Sequence, residues 1–93
     1  MTTISSPDGQ ANSKVWQAQD GWHIDVRGMQ PPAPMLAILS LLEMPDAGSR
    51  VVVHHDREPV FLYPELTERG WNWRLVPGDD REVRLVLSRE APF

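Results

Sequence analysis

The chain has 93 residues, a formal net charge of -4 and no cysteine. That length allows one small domain, and the missing thiols exclude disulfides, thiolate catalysis and cysteine-ligated zinc together. The acidic balance argues against a generic nucleic-acid binder, which would be strongly basic.

No stretch approaches the roughly 20 apolar residues needed to span a bilayer, and Met1–Pro7 lacks the pattern of a signal peptide. The expectation is a soluble cytoplasmic protein with no membrane partner. Ser5, Ser6, Pro7, Asp8 and Gly9 mark residues 1–13 as a flexible lead-in, leaving residues 14–93 as the single domain.

Val15–Gln19 and Trp22–Val26 flank Asp20–Gly21. Asp-Gly between two such runs is a hairpin signal, because a type I′ turn needs positive φ at both central positions. In the second arm Trp22, Ile24 and Val26 face one way, and His23, Asp25 and Arg27 the other. Gly28 ends the strand. Pro31, Pro32 and Pro34 fix φ and lack donors, which suits a corner and the first turn of a helix.

A helix is then expected from about Pro32 to Glu43, stopping before Pro45, with Met35, Ile38, Leu39 and Leu42 as its core stripe. Ala33, Ala37, Leu41 and Met44 lie along a flank with little charge. Such a helix is either covered by other elements or leaves an apolar strip for a partner. Leu36 and Leu41 are the candidate partner-facing residues.

Arg50–His55 reads as a β-branched strand, central and parallel to the earlier one because a helix separates them. Val51, Val53 and His55 share one face, and Arg50, Val52 and His54 the other. Asp56 is a candidate helix cap. Val60–Arg69 forms a shorter helical segment with a kink or restart at Pro64, closed by Gly70. Trp71–Val76 and Val83–Ser88 alternate around the Pro77–Asp80 turn as a second hairpin. Trp22, Trp71 and Trp73 are expected beneath the helices. The fold class is α+β: a two-layer α/β sandwich in βαβαββ order, with a mixed four-stranded sheet, two helices on one face and room for an extra N-terminal strand.

Asp25–Val26–Arg27–Gly28 with the proline corner resembles the TusA family of small bacterial sulfur carriers. Those open with a strand ending in Asp-x-x-Gly, followed by a Cys-Pro-x-Pro motif that starts the first helix. Here Pro32–Ala33–Pro34 matches Pro-x-Pro, and Pro31 stands in the cysteine's place. More closely, the chain resembles an uncharacterised bacterial family related to TusA, domain of unknown function 2249. That family shows the Asp-Val-Arg-Gly opening and a His-Asp-x-x-Pro motif, which His55–Pro59 fits. The likeness spans roughly residues 22 to 88 and implies a TusA-like fold. Members joined to hemerythrin-like domains imply a link to redox or nitrogen-oxide metabolism. A thiolate at a helix start can carry persulfide sulfur; proline has no such atom, so sulfur carriage by that route is excluded.

Loops leaving the carboxyl ends of parallel neighbours converge, which would bring Asp25, Arg27, Pro31, Pro32 and Pro34 beside His55, Asp56 and Arg57. One reading is a binding site next to two helix N-termini, suited to an anion or an acidic partner. The other is structural: Asp56 caps a helix and Arg27 pairs with a carboxylate to hold the corner. His23, Asp25 and His54 share the helix-free face, but three ligands on a flat face enclose an ion poorly and match no zinc signature, so no metal and no cofactor are expected. Arg27, Arg50, Arg74 and Arg84 form a local basic patch there, which any solvated sheet face also shows. No nucleophile–base pair or phosphate loop is evident. The expected function is therefore a non-catalytic binding or adaptor module that meets another protein or a second copy of itself. A small-ligand or metal-binding protein using the corner and the His55–Asp56 loop is the alternative.

Overall fold

The computed structural model describes residues 13–89; the flexible lead-in expected over residues 1–13 therefore falls almost wholly outside the described residues. The elements are β1 (Lys14–Ala18), β2 (Gly21–Asp25), α1 (Ala33–Leu42), β3 (Arg50–His55), α2 (Leu62–Glu68), β4 (Asn72–Val76) and β5 (Val83–Ser88). They form one five-stranded sheet in the order β1-β2-β3-β5-β4. β2 and β3 are parallel, as a helical crossover requires, and the other pairs are antiparallel. The extra N-terminal strand is β1, so the sheet has five strands where four and room for a fifth were expected.

The register carries the two-residue alternation across the sheet. Trp22 is opposite Val51, Ile24 opposite Val53, and Val53 opposite Leu85. These inward residues share one core with Ile38, Leu39 and Leu42 of α1 and Leu62 and Leu66 of α2, so both helices lie on the same face. Trp71 is buried in that core, with Trp22 and Trp73 half-buried against it. Among the described residues no helix is long and apolar enough to cross a membrane.

Three local expectations change. The first hairpin pairs Ala18 with Gly21, so its two-residue link is Gln19–Asp20. Among the described residues only Arg81 combines a side chain with positive φ, so the link is not a type I′ turn. The positive φ falls on Gly21 instead, at 120°, where a Cβ would lie 2.6 Å from the Arg50 carbonyl oxygen. Glycine is needed there because β2 must start against β3.

The second change is Leu41. It is only 5 % exposed and belongs to the core, so it does not face a partner. Pro34, Ile38, Leu41 and Leu42 are all buried. Leu39 is buried with them and Met35 packs against the core, so the expected stripe of Met35, Ile38, Leu39 and Leu42 holds and widens to take in Leu41. Leu36 remains on the outward side, 55 % exposed.

The third is α2, which begins at Leu62 with Phe61 as its N-cap and no capping side chain. Pro64 is the third helical residue, where its missing N–H has no intrahelical partner to lose. Val60 and Phe61 are thereby left in the turn before the helix.

Candidate functional site

The carboxyl ends of β2 and β3 lead into the two loops that the sequence brings together. Gly28, at φ 83°, ends β2's extension, and its N–H donates to Asp56 Oδ2 at 3.0 Å. That bond ties the corner to the loop after β3 and holds the Asp56 carboxyl below its usual value. Asp56 is thus a stitch between loops and not the predicted helix cap.

Between these loops lies a cleft of about 430 Å³. Pro31, Pro32 and Pro34 line it from the corner together with Met29 and Met35, and the stretch from Arg57 to Leu62 lines it from the other side, with His55 at the end of β3. Its surroundings are apolar: Phe61 is 82 % exposed beside it and Val60 is 53 % exposed. The Pro31–Pro32 peptide bond is cis.

Asp25 and Arg27 are not among the residues lining the cleft. Asp25 Oδ1 accepts from the Arg27 backbone N–H and Nε at 3.0 Å each, and Oδ2 accepts from Nη2 at 2.8 Å. The pairing pushes Asp25 down and Arg27 up, and it holds the corner as the structural reading had it. The predicted cluster is therefore split. Pro31, Pro32, Pro34, His55 and Arg57 line the cleft, Asp56 stitches the loops, and Leu36 stands exposed on α1 outside the lining.

The helix starts do not form an anion site. Pro31, Pro32 and Pro34 have no N–H, and the Ala33 N–H donates to the Gln30 carbonyl at 2.9 Å. At α2 the Leu62 and Tyr63 amides donate to Pro59 and Val60 carbonyls. Of the first three amides of each helix, all but that of Met35 are already bonded or absent, which leaves too few convergent donors to hold an anion.

Val60 and Phe61 are the residues sequence reasoning missed here. Pro64 was their signal: a proline confined to a first helical turn places the helix start near residue 62 and leaves the two apolar residues outside it.

A second constellation lies on the opposite sheet face. Asp20 Oδ1 is 2.8 Å from His23 Nε2, His23 Nδ1 is 2.9 Å from His54 Nε2, and His54 Nδ1 is 2.5 Å from Glu82 Oε2. Arg84 donates to both Glu82 oxygens at 2.9 and 3.0 Å. The Trp16 ring lies over the histidine pair, 5.2 and 5.5 Å from the two centroids. Val52 and His54 are consequently buried on a face expected to be open. The ring nitrogens are engaged with one another and with carboxylates, and Asp25 is engaged with Arg27. Among the described residues no three metal-ligating side chains are placed to hold an ion. Two of the four arginines of the basic patch, Arg27 and Arg84, are likewise in ion pairs.

Residues 23–89 match a family described as an uncharacterized conserved protein, DUF2249. The chain belongs to the DUF2249 family. A solved structure of a SirA-like protein from Desulfitobacterium hafniense is similar at 23% identity, with 71% of this chain and 93% of that chain covered and a TM-score of 0.58. That likeness shows the fold, and agrees with a DUF2249 domain built like the TusA-type carriers. No curated protein matches the sequence. The match spans the corner and the His55–Pro59 loop, so the cleft is built from residues within the DUF2249 region.

Proposed function

We propose that this DUF2249 domain is a non-catalytic binding module that docks on a partner protein through the cleft between the proline corner and the loop into α2. The observation that carries the reading is the cleft itself: apolar along most of its lining and continued outward by Phe61 at 82 % exposure. Exposed aromatic and aliphatic side chains beside a preformed pocket are what interface anchors use. Prolines, methionines and aliphatic residues bind by contact and shape; they supply no proton or group transfer. The reading takes the protein to be cytoplasmic. Its link to redox or nitrogen-oxide metabolism rests on resemblance alone.

The test is capture of partners on the immobilised domain. Phe61→Asp should abolish specific capture with the fold intact, while Glu68→Gln, a control on exposed α2 surface, should leave it unchanged. Equal capture by wild type and Phe61→Asp would end the reading. A second reading, a small apolar molecule in the same cleft, is favoured by the cleft's volume, which lies within the range of ligand pockets.

A further inference from the structure

His55 is the buried polar side chain of the cleft, with its side chain 6% exposed. Its Nδ1 accepts two backbone N–H groups, from Asp56 at 2.9 Å and Arg57 at 3.3 Å. A nitrogen that accepts two N–H groups carries no proton of its own. The ring is therefore neutral with its proton on Nε2, and the 3.2 Å approach of Asp56 Oδ1 to Nδ1 is a contact between two acceptors. Burial, which pushes the His55 pKa down, favours the same neutral form.

Nε2 has no hydrogen-bond partner among the described residues. Buried donors are nearly always satisfied, and an unpaired one calls for an explanation. Nδ1 is turned to the chain's own backbone, which leaves the Nε2 edge of the ring as the polar part that His55 can present to the cleft it lines.

The charges around it select the acceptor. Glu58 accepts from the Tyr63 hydroxyl at 2.9 Å, and Arg57 is 68% exposed, 3.9 Å from Asp56. The interior thus offers one neutral donor among apolar groups, complementary to a neutral carbonyl and costly for a carboxylate to enter. Val60 and Phe61, on the lining but 53% and 82% exposed, carry the apolar surface from the buried His55 end out to the open rim, which suits an occupant long enough to reach both.

We propose that the cleft takes an extended apolar segment of a partner protein, with one backbone carbonyl accepting the His55 Nε2–H and a side chain seated between Pro31, Pro34 and Phe61. The proposal rests on the binding-module reading and names the chemistry of its occupant.

The test uses two probes, N-acetyl-L-leucine N′-methylamide and N-acetyl-L-leucine as its carboxylate, titrated into the ¹⁵N-labelled chain. The methylamide should shift the His55 Nε2 resonance and the amides of Met29, Met35 and Arg57. His55→Phe should weaken it at least fivefold, and His55→Gln, which keeps a donor, should restore part of the loss. The wild-type Nε2 shift reads the contact even if His55→Phe does not fold. An unmoved Nε2, or equal binding by His55→Phe, overturns the carbonyl contact. If capture of a protein still depends on Phe61 in that case, the binding-module reading stands. Tighter binding of the carboxylate, lost in Arg57→Ala, overturns the peptide occupant in favour of a small acid.

Discussion

His54 Nδ1 lies 2.5 Å from Glu82 Oε2, and it is the inner end of a chain of hydrogen bonds running from exposed Asp20 through His23. Only one of the two facing nitrogens of His23 and His54 can carry a proton, so the link between β2 and β3 depends on what holds the outer nitrogens. Glu82, its side chain 1% exposed, does this on the inner side. It accepts from His54, from both arms of Arg84 and from the Asp79 N–H. One carboxylate thereby joins β3, β5 and the turn before β5.

Arg84, more than any other group, holds Glu82 at about 2 against an ordinary 4.5. A depressed carboxyl contributes stability above its unfolded value and loses it as pH falls through the folded one, here from about 4.5 towards 2. The difference corresponds to roughly 3 kcal/mol. Urea midpoints should fall through this window, and Glu82→Gln should flatten the dependence while costing about 2–4 kcal/mol at neutral pH. An unchanged acid limb in Glu82→Gln would refute the assignment.

Tyr63, the single tyrosine of the chain, stacks on Trp73 with centroids 4.4 Å apart and donates to Glu58 at 2.9 Å. Burial, with Glu58 beside it, pushes its hydroxyl up to about 12 from 10.0. The protonated form is favoured in the folded state, so this stability is complete below pH 10 and lost as pH rises through about 12. Ultraviolet titration should show phenolate forming late in the native protein, and Glu58→Gln should bring the transition to lower pH.

Leu36 and Leu41 separate surface from core on one helix. Leu41→Ala should cost about 2–5 kcal/mol, the usual range for a buried leucine, and Leu36→Ala should stay within about 0.5 kcal/mol. Chemical denaturation measures both. Equal costs would mean that the α1 stripe is rotated from the one described.

Gly21 and Gly28 both have positive φ, but only Gly21 has backbone within reach of an added Cβ. Gly21→Ala should therefore destabilise by about 2 kcal/mol or more, and Gly28→Ala by about 1–2 kcal/mol from backbone strain alone. The ranking is the test, read from thermal midpoints.

The order of elements, the parallel β2–β3 pair and the inward faces of the strands were legible in the sequence, because two-residue alternation, proline and glycine act locally and leave their mark in spacing. The proline corner beside the His55 loop was legible too, since parallel neighbours must send their loops to the same end. What only the tertiary structure decided depends on partners distant in the chain. Asp56 could be a helix cap or a binding residue until Gly28, 28 residues away, was placed against it. Leu41 could face out until the rotation of α1 about its axis was set by the sheet beneath. Glu82 and Trp16 carried no local signal, because their meaning comes from His54 and His23 on other strands. Val60 and Phe61 became a surface only once Pro64 fixed where α2 begins and the corner closed opposite them.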